Sequence, residues 1–268
     1  MRLTRRFAFA LVLAAACSGS DAVGPTPSSS FDLARVFGEL AVPGASVAAT
    51  LAAAPGVPTM TFTLTGLPTT CPYAATSKSF VCAPTSTNGV SVSLSYQLFD
   101  AAGNAQSQGD PATTNAVRTL GSVSGVLQPA STGTNSAGAI TIAQQHDLTI
   151  SGLLGDTHTI DGTATTTFGG SFATNPSQPQ QITAIVTETT TQTLAHVRIP
   201  ARPAGTNAYP LGGTITSDAT STTNGQVLTV HSVVTFNGTS TATLSVTIGG
   251  TTQSCTVSLA GVAAPVCH

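Results

Sequence analysis

The chain has 268 residues, with 8 Lys and Arg against 10 Asp and Glu, so 7% of it is charged, where an ordinary soluble domain carries about 25%. A net charge of -2 and a pI near 6.1 leave no basic surface for phosphate, which sets nucleic-acid binding aside. Hydrophobic residues make up 41%, with 26 Gly and 16 Pro, which excludes collagen-like and highly charged disordered classes.

The N-terminus reads as a targeting segment. Arg2, Arg5 and Arg6 precede an apolar run from Phe7 to Ala16, and small residues lead to Cys17. Such a run spans about 15 Å as a helix, half a bilayer core, so a signal peptide over 1–16 is expected rather than a membrane-spanning helix. The segment resembles the signal of bacterial lipoproteins. The resemblance implies cleavage before Cys17, a diacylglycerol thioether on that Cys, and an amine acylated by a chain such as palmitate. The lipoprotein pattern favours Leu three residues before the Cys; here Ala14 stands there and Leu13 one place further back. Ser18 in place of Asp after the Cys is similar to the residue that permits sorting onward to the outer membrane. The resemblance ends at about residue 20. It implies a membrane partner reached through lipid and an address in the cell envelope, with two acyl-type anchors holding the chain there.

Loss of 1–16 removes three of the eight basic residues and leaves five against ten acids, a mature charge of -5. Residues 17–30, rich in Ser, Gly and Pro, are expected to be a flexible tether. The remainder, 31–268, is read as one β domain preceded by a short helix over 31–40, where Leu33, Val36, Phe37 and Leu40 recur on one face after Ser29 or Ser30 as cap. Residues 41–58 have no clean period.

From there the period is two. Met60, Phe62 and Leu64 alternate with threonines, and the same alternation returns in Val90–Leu98 and Ala242–Ile248, the signature of half-buried strands. Ten strands are predicted, at about 58–67, 89–99, 114–127, 138–152, 157–168, 180–199, 211–220, 226–236, 239–248 and 252–259. Asn237-Gly238 and Gly249-Gly250 read as two-residue hairpin turns, and Leu154-Gly155 as another. Without intervening helices the sheet must be antiparallel. The expected fold is therefore an all-β antiparallel meander of about ten long strands, forming a sandwich or an up-and-down barrel. Thr supplies the polar faces in place of ions. Because Lys is the usual guard of sheet edges, its scarcity favours closure of the sheet or a covering helix. With 3 Tyr and no Trp for aromatic girdles, a transmembrane barrel is disfavoured.

Five cysteines are present; assigning Cys17 to lipid leaves four to pair. Local bridges, Cys71 with Cys82 and Cys255 with Cys267, are the natural expectation, while the crossed connectivities stay open. No CxxC is present, so zinc is not expected.

The search for chemistry yields little. His146 and His158 fall on apolar strand faces but far from each other along their hairpin. His196 and Arg198 share a phase with Glu188 and Gln192 on the longest strand, making its most polar face. These five residues, His146, His158, Glu188, His196 and Arg198, are the candidates for the wall of a ligand cavity. The run GGSFA at 169–173 lacks the second Gly of a nucleophile elbow, no phosphate loop is present, and Glu39 and Glu188 are the only mature glutamates. No catalytic residue, metal or cofactor is assigned. The expected role is a structural or adhesion-like envelope protein, partnered by the membrane and by an unidentified envelope protein, or alternatively a carrier of a hydrophobic small molecule or lipid.

Overall fold

The computed structural model describes residues 71–87, 89–127, 137–173, 182–201, 209–259 and 265–268. Cys17, the tether, the helix over 31–40 and the strand over 58–67 lie outside them.

The described residues form one antiparallel meander sheet, as expected, and it is not closed, so of the two expected forms the barrel is not adopted. Its long strands are β4 (Val90–Asp100), β6 (Thr114–Leu127), β7 (Ala137–Ser151), β8 (Thr157–Ala173), β9 (Ile182–Pro200), β10 (Gly212–Thr223), β11 (Gln226–Thr235), β12 (Thr241–Ile248) and β13 (Thr251–Ser258). These pair in chain order. Short strands finish the sheet: β1 (Tyr73–Ala74), β2 (Ser79–Val81), β3 (Thr85–Thr87) and β5 (Ala105–Gln106) lie on the β4 side, and β14 (Val266–Cys267) on the β13 side.

Alternation puts one phase of each strand on a buried face. Leu148, Ile160, Leu194, Ile215, Val234 and Leu244 lead one core cluster, and Tyr96, Leu98 and Val117 form a second; Ile150 packs against both. Thr190, Gln192 and Ser217 are also buried and stand in neighbouring register positions. The apolar core therefore gives way to a polar band along the same face.

Turn chemistry fixes the register. Ile248 pairs with Thr251 around Gly249 and Gly250 (φ 57° and 83°), the expected two-residue turn with both residues left-handed. Asn224-Gly225 (φ 49° and 80°) does the same between Thr223 and Gln226, a turn the chain reading passed over. The Asn237-Gly238 turn is wider than expected. Pairing of β11 with β12 resumes only at Thr235 and Thr243, and the Asn237 side chain accepts from the N–H and hydroxyl of Thr239 at 3.0 and 2.7 Å, holding a longer loop. At the 151–157 connection, the N–H of Gly155 bonds the carbonyl of Gly152 at 3.0 Å.

Among the described residues the sheet edges are covered neither by closure nor by a helix. Cys71 bonds Cys82 beside β1 and β2, and Cys255 bonds Cys267, its register partner on β14. The described sheet is thus bounded on both sides by strands of two or three residues with a disulfide beside them, too short to template another chain. Two disulfides also mark an oxidising setting outside the cytosol.

A bulge crosses three strands. Register shifts fall between Ile160 and Gly162 against β9, and between Gly212 and Thr214 on β10. On β9 the extra residue is at His196, whose backbone is left-handed at φ 52°. Gly213 faces this bulge at φ 97°, where a Cβ would strike the His196 carbonyl oxygen.

Candidate functional site

The bulge decides where the polar residues of β9 go. Before it, Glu188, Thr190, Gln192 and Leu194 point to the buried face; after it, Val197 and Ile199 do. The shared phase expected for Glu188, His196 and Arg198 is therefore broken, because an inserted residue exchanges the two faces. His196 is 83% exposed, 3.0 Å from Asp161 through Nδ1. Arg198 is exposed and its guanidinium approaches Gly212, with Nη2 3.0 Å from where a Cβ would stand. Glu188 stays on the inner face opposite Phe168 and Ser221. Burial raises its carboxyl above the usual carboxylate value, partly offset by a hydrogen bond from the Thr190 hydroxyl.

His146 and His158 lie apart, as expected. His146 pairs with Ala164, whereas His158 sits six residues earlier on β8 opposite Ile199. Burial lowers both imidazoles below the ordinary value, with Asp147 partly opposing the shift at His146. The His146 ring lies over Gly121, its cross-strand partner, where a Cβ would overlap Cε1.

One concavity lies next to His146. It measures about 480 Å³ and crosses β4, β6, β7 and β8 on the face opposite the core. Register makes its floor two adjacent cross-strand rows: Ser95, Leu120, Asp147 and Thr163, and beside them Ser93, Ser122, Gln145 and Thr165. Leu94, Gly121 and His146 are interleaved between these rows, and Val81, Cys82 and Pro84 form a wall. The Ser93 and Ser122 hydroxyls are joined at 2.8 Å. At the rim, Arg118 grips Asp147 with two bonds, Nε to Oδ1 at 2.8 Å and Nη2 to Oδ2 at 2.6 Å; the guanidinium holds the Asp147 carboxyl below its usual value.

The groove offers hydroxyls, an amide and one neutralised carboxylate. Such a surface can exchange hydrogen bonds with a polar ligand along several strands. Among the described residues no three His, Cys, Asp or Glu side chains are grouped to hold a metal ion. Chain reading picked out His146 but missed Ser93, Ser122, Gln145, Asp147 and Arg118, because outward Ser and Gln on a strand read as solvated surface. The diagonal between Arg118 and Asp147 exists only once β6 and β7 are in register. A second cross-strand pair, Asp218 and His231 at 2.7 Å, was also missed and lies on the exposed face of β10 and β11.

Compared with known proteins, the chain matches no family model, and no curated protein or solved structure is found to be similar to it.

Proposed function

We propose that this is an exported, lipid-anchored β protein of a bacterial envelope, described by its binding surface rather than by any reaction: a structural or adhesion-like role without catalysis. The observation that carries the reading is the groove, where a row of Ser93, Ser122, Gln145 and Thr165 runs beside one of Ser95, Leu120, Asp147 and Thr163 across four long strands. A rigid sheet presenting aligned polar side chains suits recognition of a polar surface. The anchor at Cys17 and an outer-membrane address rest on the lipoprotein-type signal, and the disulfides agree with export.

The carrier reading draws on the same groove, since its volume suits a small molecule. Against it, the open sheet encloses no barrel lumen. Native mass spectrometry of the protein purified from its own envelope separates the two. Binding to an envelope surface without a co-purifying small molecule supports the first reading; a stoichiometric hydrophobic ligand overturns it in favour of the carrier.

A further inference from the structure

Charge is distributed unevenly along the strands. The Asp218 and His231 pair defines a row that continues through Thr191, Thr165, Gln145, Ser122 and Ser93. Beyond it, toward the Asn224-Gly225 and Gly249-Gly250 turns, the described residues include one charged side chain, Glu188, on the inner face. The same end carries exposed aliphatic side chains: Val227 at 65%, Ile185 at 63%, Leu228 at 50% and Ile248 at 47%. Leu228 and Ile248 share a face on neighbouring strands, since Ile248 pairs with Val230. Val227 and Ile185 flank the Asn224-Gly225 turn on the other face.

At one turn of this end backbone groups are also paired. Asn224 donates its N–H to the Ile185 carbonyl at 3.0 Å, and its side-chain oxygen accepts from the Ile185 N–H at 2.9 Å. The turn is thereby tied to β9. Unpaired backbone groups are what exclude most hairpin tips from an apolar phase, and here two of the candidates are paired.

We infer that this end of the sheet, poor in charge, dips into a lipid surface, with the Val227 and Leu228 hairpin and Ile248 as its inserted side chains. The inference rests on the proposed anchoring at Cys17, which would hold the domain beside a bilayer. Complementarity favours lipid over a protein partner: its one charged side chain is Glu188, two strands from Leu228 on the same row and pushed toward its neutral form by burial, and the described patch has no exposed aromatic or Arg side chains of the kind that dominate protein interfaces. The chain from Cys17 to Cys71 reaches at most about 180 Å when extended, ample to bring either end of the sheet to the membrane.

The chain contains no Trp, so one introduced indole reports depth. Val227→Trp is placed in the full mature chain on phosphatidylcholine vesicles with brominated acyl chains, and Leu154→Trp, at an exposed turn on the opposite end, serves as reference. Bromine is expected to quench the indole at 227 and leave the one at 154 bright. Adding Leu228→Asp and Ile248→Asp to the first variant should weaken vesicle binding, read by the quenching, at least tenfold for each large aliphatic side chain withdrawn from lipid, so about a hundredfold together. Equal quenching at both positions, none at 227, or a concentration-dependent blue shift without quenching, which marks contact with a second copy, overturns the inference. Intact mass of the N-terminal peptide reads the anchor separately: an acylated Cys17 with an unquenched 227 condemns the insertion alone.

Discussion

Asp161 and His196 stand across β8 and β9 at the bulge, and the carboxylate serves two atoms of the same residue. It accepts the His196 N–H at 2.7 Å and lies 3.0 Å from Nδ1. This contact braces a non-glycine residue in left-handed backbone, a conformation that costs about 1 kcal/mol or more. It also sets which side chains of β9 reach the core.

Removing the brace should therefore be costly at an otherwise exposed position. Asp161→Ala is expected to lose about 1 to 2 kcal/mol of unfolding free energy, read from urea denaturation. His196→Gly, which fits φ 52° without strain, should cost less than His196→Val, where a β-branched side chain meets the same backbone. The reverse order would refute the bulge.

On the core face behind the groove, Gly121 leaves room for the His146 ring. Gly121→Ala is expected to destabilise by about 1 to 3 kcal/mol through overpacking. His146→Ala combined with it should recover much of that loss, so a double-mutant cycle gives a coupling well above the few tenths typical of independent sites. Additive losses would mean that the two residues do not touch.

The fold was legible where composition repeats. Alternation of Ser or Thr with apolar residues located β4 and β12 to within two residues, because each has one wet and one buried face. The strands β1, β2 and β14 have two or three residues, too few for a period. The bulge left no mark because one inserted residue has no composition, and His196 is not the Gly usual at such a φ. Its effect was large, since everything after it changed face. Most of the groove was hidden for another reason: Ser93, Ser122, Gln145 and Thr165 come from four strands and meet only through register.

The pH response follows from three buried or half-buried groups. His146 and His158 have folded pKa values lowered from the ordinary 6.5 by burial, so the unfolded chain binds protons first and stability falls as pH drops below about 6.5. Glu188 has the opposite sign: its folded value is raised above the ordinary 4.5, so neutral pH disfavours the fold and acid relieves it. Urea midpoints should fall between pH 7 and pH 5, less steeply in His146→Gln and His158→Gln. Glu188→Gln should raise stability at pH 7. Asp147, with its folded value lowered, contributes stability at neutral pH that is lost only in acid below the ordinary 3.8, and little of it, because its bridge to Arg118 is some 40% exposed on both sides.

The disulfides guard the sheet edges as well as stabilising the fold. Each closes a loop with a sequence separation of 11 or 12 residues, which corresponds to about 3 kcal/mol by loop-closure entropy. Cys255→Ser with Cys267→Ser is expected to lose about that much and to free the uncharged β13 edge, so that light scattering on concentration rises above the wild type. Loss of stability with unchanged scattering would leave the staple its entropic role and remove the protective one.

The account turns on Cys17. Mass spectrometry of the N-terminal peptide from membrane-purified protein is its most direct measurement. The expected result is a mature chain that begins at Cys17 and carries the mass of a diacylglycerol and an additional acyl chain. An unmodified Cys17, or cleavage at another position, would contradict the lipid anchor and with it the envelope role argued for the sheet.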